Sequence, residues 1–295
     1  MSHHILMGDP SYFSIKRGAN PHTRNRWGCR KKVDLPKAID QWHRMKETLE
    51  QYDVKVHVVP PDPDLPGLVF PANAGVRIND RYLMASLNPA RAAEQDIYKK
   101  VIQDLGLPID FVNHQFEGEA DLIRWGDQFI LTHGRIEKQR FIFNPGLPPW
   151  KKKYGFRTDI EVLEELTQWI PREKIIPVEL QLEEFYHGDT IFCTFGVHRE
   201  YLLAYQGGIK KEPVGVFNKN VIWIAKEEAF AFAANSFQII YQEEPILFMP
   251  RGSAKNCRVQ IAKRGVQIVE LDVSEFFEKG GGSVKCMIGD LGVMP

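Results

Sequence analysis

Apolar and polar positions along the chain recur with two periods, one typical of amphipathic helices and one typical of strands. In "DLPKAIDQWHRMKETLEQY" apolar side chains recur every three or four residues, so the stretch predicts a helix that begins after the N-cap residue Asp34. The apolar face of this helix is formed by Ala38, Trp42, Met45 and Leu49. The stretch "VKVHVVP" that follows is short and rich in valine, and it predicts a strand.

The same succession of strand and helix patterns continues along the chain. Helices are predicted for "DIEVLEELTQWI", around "AKNCRVQIAKRG", and for "PARAAEQDIYKKVIQDLG", which carries Ile97, Val101 and Leu105 on its apolar side. "DLIRWGDQFILTHG" predicts a hairpin about its Gly-Asp turn. Further strands are predicted for "YLMASL", "IDFVNH", "KIIPVEL", "TIFCTFG", "YLLAYQ", "VIWIAKE" and "VQIVELDV". Because strands and helices alternate throughout, the predicted fold class is α/β.

One stretch, "NPGLPPWKKKYG" at residues 144–155, interrupts this succession. Its prolines, glycines and lysines predict a mobile surface loop. Because Gly155 ends the stretch and Arg157 follows closely, we hypothesise that the loop is a basic lid over a substrate site.

Composition narrows the class of protein. The 295 residues carry 38 basic and 38 acidic side chains, so neither nucleic acid nor an anionic membrane surface is expected as a partner. No apolar run approaches the ~18 residues of a membrane span, and the first ten residues lack the pattern of a secretory signal. The four cysteines lie far apart without a CxxC pair, which favours free thiols in a reducing cytoplasm. Length alone leaves one or two domains open, and oligomeric state, including a homo-oligomer, stays open as well.

Three polar stretches stand out from their apolar surroundings. Cys286 follows three glycines in "KGGGSVKCMIGDL", Glu117 and Asp121 lie in "QFEGEADLI", and His187 and Asp189 lie in "FYHGDT". Each has an ordinary structural interpretation, respectively a flexible linker, carboxylates that form turns, and a surface His-Asp pair. In an extended backbone, however, His187 and Asp189 face the same side.

Together, these residues contain a nucleophile, a proton carrier and two anions, Cys286, His187, Glu117 and Asp189. A guanidinium group stays cationic throughout the physiological pH range, and it requires planar carboxylate recognition and a soft nucleophile. A bound cation or a neighbouring imidazolium favours the thiolate of Cys286. His187 can then protonate the leaving amine and afterwards take a proton from the hydrolytic water.

Several short motifs occur in a characteristic order along nearly the whole chain. They are "ANP" at residues 19–21, "LVFPANAG" at 68–75, "FEGEAD", "YGFRTD", "YHGD", "AFAAN" ending at Asn235, and "GGGSVKC". This ordered set resembles the guanidino-group-modifying enzymes, or penteins, which include arginine deiminases, arginine dihydrolases, dimethylarginine dimethylaminohydrolases and amidinotransferases. The resemblance implies that residues 1–295 form one catalytic domain, a closed α/β propeller of fivefold pseudo-symmetry built from repeated ββαβ-like units.

The resemblance also implies a role for each matching residue. Cys286 matches the nucleophile, His187 the general acid and base, and Glu117 and Asp189 the carboxylates that hold the guanidinium. The supporting set comprises Arg157 for the α-carboxylate of the substrate, Asp121 to orient the histidine, and Phe70, Asn73 and Asn20 as substrate-binding residues. No cofactor and no metal are expected, and the expected partner is a small guanidino molecule.

One departure from the family pattern bears on the substrate. Asn73 stands where deiminases and amidinotransferases generally have an aspartate, and an amide can hold a neutral ureido group as well as a cation. Together with Asn20, it resembles the arginine dihydrolase branch, which converts arginine to ornithine, ammonia and carbon dioxide. The alternative that both asparagines only cap turns stays open. A deiminase, a dimethylarginine hydrolase, an amidinotransferase and, from another class, a non-catalytic propeller that binds a partner remain the competing functions.

Overall fold

The computed structural model describes residues 2–16, 18, 20–143, 145–146, 150–211, 216–217 and 220–294. Within them the helices are α1 Leu35–Glu50, α2 Glu94–Asp104, α3 Val162–Leu166, α4 Lys226–Phe230, α5 Cys257–Ala262 and α6 Ser274–Gly280. The strands are β1 Ser2–Gly8, β2 Val54–Val59, β3 Gly75–Ile78, β4 Arg81–Met84, β5 Ile109–Phe111, β6 Leu122–Trp125, β7 Gln128–His133, β8 Arg140–Phe143, β9 Trp150–Lys153, β10 Ile175–Glu179, β11 Phe192–Phe195, β12 Tyr201–Ala204, β13 Val221–Trp223, β14 Phe237–Tyr241, β15 Glu244–Pro250, β16 Gln267–Leu271 and β17 Gly289–Met294. No helix in these ranges is long and apolar enough to cross a membrane.

Five three-stranded sheets of the described chain share one plan. In each, the middle strand pairs antiparallel with one neighbour and parallel with the other. The sheets are β3-β4-β5, β6-β7-β10, β11-β12-β13, β14-β15-β16 and β17-β1-β2. The predicted α/β class is therefore confirmed, and the same supersecondary unit is repeated along the chain.

In each of these sheets, a short turn precedes the strand that pairs antiparallel with the middle strand. The turns carry Asn73 before β3, Asp121 before β6, Asp189 before β11, Asn235 before β14 and Cys286 before β17. The repeated plan thus places an asparagine, aspartate or cysteine just before the corresponding strand of every unit.

Helix α1 forms as its pattern predicts. The side chain of Asp34 accepts a hydrogen bond from the backbone N–H of Lys37, which satisfies one of the free donors of the first turn. Its predicted apolar residues are all buried, in a cluster with residues of β1, β2 and β15. Burial of this apolar face holds the helix against the sheet of β17, β1 and β2 and against the sheet of β14, β15 and β16.

Helix α2 begins later, and is rotated relative to its predicted apolar side. Tyr98 and Ile102 are fully buried, whereas the predicted Ile97, Val101 and Leu105 are half-buried at the edge of the same cluster. The phenol of Tyr98 donates to the carbonyl oxygen of Leu68, so this polar aromatic side chain is satisfied inside the core.

The stretch at residues 144–155, expected to be a loop, contains a strand instead. β9 pairs antiparallel with β8, and the side chain of Lys152 donates to the carbonyl oxygen of Gly18 at 3.0 Å. The lysine run therefore belongs to a two-stranded β-ribbon. A strand tolerates these lysines because alternate side chains can face solvent without disturbing its pairing. Residues 144 and 147–149, on which part of the lid hypothesis falls, lie outside the described residues.

Candidate active site

The three glycines before Cys286 lie inside the fold and do not form a linker. Helix α6 ends at Gly280, and Gly281 takes the left-handed conformation, with φ of 78°, that terminates many helices. A Cβ atom on Gly282 would lie 2.7 Å from a ring carbon of Phe70 and 2.9 Å from the Cβ of Cys286. Only glycine permits this close approach, so the run brings the backbone against the wall of the site.

Cys286 is 3% exposed and its sulfur has two polar neighbours. Sγ lies 3.2 Å from Oδ2 of Asp189, and the side-chain amide of Asn235 donates to Sγ at 3.1 Å. The carbonyl oxygen of Asn235 accepts the backbone N–H groups of Ser283 and Cys286. One asparagine side chain therefore holds the sulfur and the turn that carries it.

The surroundings of Cys286 favour the neutral form of its thiol. Burial, followed by the neighbouring Asp189 carboxylate, raises the pKa of Cys286 well above its ordinary value. Burial likewise raises the pKa of Asp189, and Oδ1 of this residue is buried with no hydrogen-bond partner among the described residues. A cationic ligand beside these two groups would stabilise both the carboxylate and the thiolate.

His187 lies between two buried carboxylates. Nδ1 is 3.0 Å from Oδ2 of Asp121, and Nε2 is 3.2 Å from Oε2 of Glu117. Burial lowers the pKa of His187, but Asp121 and Glu117 outweigh it and raise the pKa to about 9. The imidazole is therefore charged at neutral pH and can act as a proton donor.

Asp121 and Glu117 are themselves held by hydrogen bonds. Asp121 accepts from the hydroxyl of Thr132 at 2.6 Å, from the hydroxyl of Thr158 at 2.7 Å and from the backbone N–H of Gly188 at 3.0 Å. Burial raises the pKa of Glu117, but hydrogen bonding and charge at His187, with smaller effects of two arginines, lower it to about 2. Glu117 is thus ionised, and the hydrogen bonds of both carboxylates fix their orientation.

Asn73 does not cap a turn with its side chain. Its amide nitrogen lies 3.2 Å from Nε2 of His187, and its carbonyl oxygen accepts from Nη1 of Arg91 at 2.5 Å. Arg91 is in turn paired with Glu94 at 2.7 Å. Asn73 therefore lies against the histidine, between it and the partly buried guanidinium of Arg91.

Asn20 has the local role that the sequence left open. Its carbonyl oxygen accepts from the backbone N–H of His22, which caps the short turn Pro21–Thr23. Its amide donates to the carbonyl oxygen of Gly280 at 2.7 Å and to the hydroxyl of Tyr186 at 3.0 Å. Asn20 thus ties that turn to the glycine run in the wall of the site.

A cavity of about 130 Å³ opens onto the thiol. Six of the residues singled out from the sequence line it, namely Asn20, Phe70, Asn73, Arg157, His187 and Cys286. Glu117, Asp121 and Asp189 lie behind this wall, in contact with His187 or Cys286. The guanidinium of Arg157 is buried and lies 5.3 Å from the centre of the Tyr186 ring.

Three residues with clear contacts were not identified as site residues from the sequence. Asn235 closes a matching motif but shows its role only through its contacts with Cys286. Arg91 has Glu94 three residues later, which in a helix pattern resembles an ordinary surface pair. Asn88 donates to Oε1 of Glu117 at 2.5 Å, and no feature of its own stretch marks it.

The arrangement suits attack by a thiol on a planar cation, with proton transfer through an imidazole. Across the part of the chain that the structure describes, no group of three or more His, Cys, Asp or Glu side chains is placed to hold a metal ion.

Comparison with known proteins gives concordant relatives. The family model "N,N dimethylarginine dimethylhydrolase, eukaryotic" matches residues 9–143 and 151–293. The bifunctional arginine dihydrolase/ornithine cyclodeaminase AgrE of Nostoc sp. is 28% identical over 295 residues, covering 96% of this chain but only 37% of that protein. The N(G),N(G)-dimethylarginine dimethylaminohydrolase of Mycobacterium tuberculosis is 25% identical over 284 residues, covering 95% of this chain and 83% of that protein.

Solved structures share the fold. The substrate-bound N-terminal domain of ArgZ, a cyanobacterial arginine dihydrolase, superposes with a TM-score of 0.80 at 21% identity, covering 98% of both chains. A dimethylarginine dimethylaminohydrolase in an adduct with S-methyl-L-thiocitrulline gives a TM-score of 0.71 at 22% identity, covering 99% of this chain and 100% of the other.

Proposed function

The chain belongs to the N,N dimethylarginine dimethylhydrolase family, and from that premise we propose that it hydrolyses the guanidinium group of arginine, or of a close derivative of arginine, through a covalent intermediate on Cys286. One observation carries the proposal. The buried thiol lies 3.2 Å from a carboxylate, Asp189, whose other oxygen is buried without a hydrogen-bond partner. A buried unpaired acceptor is costly, and a guanidinium N–H would satisfy it.

The cavity walls supply the remaining contacts for arginine. Glu117 and Asp189 bind the guanidinium, and their charges are the reason a cation enters a site with a neutral thiol. Arg157 binds the α-carboxylate of the substrate, with the partly buried Arg91 as a second cation in the same wall. Phe70 packs against the aliphatic stem.

The bound cation lowers the pKa of Cys286, whose thiol proton passes to solvent. Sγ forms a bond to the central guanidinium carbon, and the carbon–nitrogen bond to the leaving amine breaks as the charged His187 gives that nitrogen a proton. Neutral His187 then takes a proton from water as its oxygen attacks the same carbon. The carbon–sulfur bond breaks and the thiolate leaves, so that arginine and one water have become citrulline and ammonia.

Arginine dihydrolase is the preferred activity because of Asn73. A second hydrolysis would convert citrulline to ornithine, ammonia and carbon dioxide, and the amide of Asn73, whose carbonyl oxygen accepts from Arg91, offers N–H donors to the neutral ureido group of citrulline. The names of the relatives AgrE and ArgZ support this choice. Dimethylarginine dimethylaminohydrolase is the second candidate, favoured by the matching family and by the M. tuberculosis relative.

We further propose that the five sheets surround the cavity as a closed, fivefold pseudo-symmetric propeller, and that residues 1–295 form one domain. The shared strand order of the sheets and the short turn before the antiparallel partner of each middle strand support this arrangement. A reducing cytoplasm is the proposed location, because the four cysteines, including Cys286, are free thiols.

The test is a mass balance of the purified protein with arginine. Ornithine with two ammonia per arginine supports a dihydrolase, and citrulline with one ammonia a deiminase. Dimethylamine from dimethylarginine supports the second candidate, and transfer to an added amine identifies an amidinotransferase. Cys286→Ala should abolish every one of these reactions, whereas Cys193→Ala, at a buried thiol outside the cavity, should not. A fully active Cys286→Ala variant would overturn the proposal, and no turnover of any guanidine by the parent would favour a binding protein.

A further inference from the structure

A buried ion pair lies directly behind the candidate site. Nζ of Lys285 is 2.9 Å from Oε1 of Glu119, and the two side chains are 15% and 10% exposed. Lys285 precedes Cys286, and Glu119 stands between Glu117 and Asp121. The pair therefore joins the turn that carries the thiol to the turn that carries Glu117 and Asp121, the two carboxylates that contact His187.

Further contacts fasten the pair to the thiol turn on both sides of Cys286. The backbone N–H of Lys285 donates to the backbone carbonyl oxygen of Asn235 at 3.1 Å, and Nζ of Lys285 donates to the backbone carbonyl oxygen of Ile288 at 3.2 Å. Oε1 of Glu119 also accepts the backbone N–H of Asp290 at 2.6 Å. Glu119 thus holds the chain at two points, Lys285 just before Cys286 and Asp290 four residues after it.

The turn that carries Glu119 has little freedom to move. Gly118 takes φ of 63°, and a Cβ atom there would lie 2.5 Å from the carbonyl oxygen of Gly75. The hydroxyl of Thr158 accepts the backbone N–H of Glu117 and donates to Asp121, which locks the two ends of the turn. Glu119 is consequently a rigid point to which the thiol turn is attached.

Neither member of the pair lines the cavity, and, unlike Glu117 and Asp189, neither contacts the side chain of His187 or Cys286 among the described residues, so neither is placed to touch a substrate. We propose that Glu119 and Lys285 are positioning residues: their ion pair sets the distance between Sγ of Cys286 and the His187, Glu117 and Asp121 group. This inference rests on the proposed hydrolysis at Cys286, and concerns how the site is held for it.

The charges around Glu119 agree with this role. Burial raises the pKa of Glu119 to about 7; Lys285 lowers this pKa and Asp290 raises it. Asp290 is itself paired with His3 and Arg199. The charge of Glu119 in turn raises the pKa of the Tyr82 phenol, after a larger effect of burial. Removal of Lys285 raises the pKa of Glu119 further, so that the carboxyl becomes neutral and the ion pair is lost, whereas removal of Glu119 leaves the ammonium group of Lys285 without its anion.

The experiment compares Glu119→Gln, Lys285→Met and Lys285→Arg with Glu275→Gln. Glu275 is a matched control, because it is buried, pairs with Lys37 and accepts a backbone N–H from Asp34, but lies outside the cavity. Two quantities are measured for each: kcat and KM for arginine, and the rate at which iodoacetamide alkylates each cysteine, resolved by peptide mass spectrometry. The exposed Cys29 reports the reagent, and the buried Cys193 and Cys257 report unfolding.

We expect Lys285→Met and Glu119→Gln to lower kcat about 10- to 100-fold with little change of KM, because the misplaced thiol attacks poorly while the binding walls persist. Alkylation of Cys286 should become faster, without faster alkylation of Cys193 and Cys257. Lys285→Arg should recover most of kcat, and Glu275→Gln should resemble the parent in both measurements.

Parental kcat and alkylation rates in Glu119→Gln and Lys285→Met would overturn the inference. If Lys285→Met exposes Cys193 and Cys257, the chain has unfolded and Lys285→Arg decides: a variant as slow as Lys285→Met, with Cys193 and Cys257 protected, contradicts the positioning role. A parent that turns over no guanidine refutes the proposed function instead. The alkylation rate of Cys286, which needs no substrate, still tests the pair.

Discussion

The side-chain amide of Asn235 donates to the sulfur of Cys286 at 3.1 Å, while its carbonyl oxygen accepts the backbone N–H of the same cysteine at 3.2 Å. The amide also donates to the carbonyl oxygen of Asp189. One side chain thus contacts both the thiol and the backbone of Asp189, the residue whose carboxylate neighbours the thiol. Because the N–H contact lowers the pKa of Cys286 against a larger effect of burial, it favours the thiolate.

Asn235→Asp should lower kcat about 100-fold and move the activity of the thiol to higher pH. A carboxylate in this position repels the thiolate and loses the N–H donor. The measurement is the pH dependence of Cys286 alkylation together with kcat. Ser236→Ala is the control, since its hydroxyl bonds only within the same turn, to Ala233. An Asn235→Asp variant with the pH profile of the parent would contradict the role of the amide.

The pKa of His187, about 9, predicts how activity ends on the alkaline side. Activity should fall as the pH rises through about 9, because the imidazole loses the proton that it gives to the leaving amine. Asp121→Asn removes one of the two carboxylates that raise this pKa, so the alkaline limb should move to lower pH. A pH series of kcat for both proteins checks this, and an unmoved limb would exclude His187 as its origin.

The same shift predicts the pH dependence of stability. The pKa of His187 in the folded protein lies above the ordinary value of 6.5, so its contribution is complete below pH 6.5 and is lost as pH rises through about 9. The free energy of unfolding should fall by about 3 kcal/mol over this window. Urea unfolding at several pH values measures it, and in Asp121→Asn the fall should be clearly smaller. Equal slopes for the two proteins would count against this linkage.

Asn73→Asp should change the products rather than abolish turnover. A carboxylate still holds the cationic guanidinium, but it cannot donate hydrogen bonds to the neutral ureido group of citrulline. We expect the ratio of citrulline to ornithine to rise, as measured by the mass balance described above. An unchanged ratio would remove Asn73 as the determinant of the second hydrolysis.

Gly282→Ala should destabilise the chain by about 1–3 kcal/mol and lower kcat, because the new Cβ meets the Phe70 ring and the Cβ of Cys286. The double variant with Phe70→Ala should recover part of the stability, since one of the two contacts is removed. Urea unfolding of the two single variants and the double variant gives the coupling between the positions. Additive free energies would show that the two residues do not interact.

Residues whose function depends on a local motif could be predicted from the sequence. His187 and Asp189 lie two residues apart, and Cys286 follows the glycine run after three residues, so each of these motifs spans only a few letters. The helix α1 and the hairpin of β6 and β7 are likewise local patterns, and the structure confirms both.

Residues that depend on distant contacts could not be found in this way. Asn235 acts on a cysteine 51 positions away, and Lys285 meets Glu119 across the chain. The strands β1 and β17 also escaped the pattern, because "SHHILMG" lacks alternation of apolar and polar positions and "GDLGVM" is weakened by glycines. Their pairing with each other supplies what their own composition lacks.

That pairing has a consequence for biosynthesis. The strand that follows Cys286, β17, forms its ladder with β1, so His3 lies opposite Val293. A nascent polypeptide emerging from the ribosome can assemble the earlier sheets, with their carboxylates and histidine, well before this ladder closes. Cys286 is therefore the last chemical group to enter the site, and a chain interrupted during translation would lack a functional centre even where most of its fold has formed.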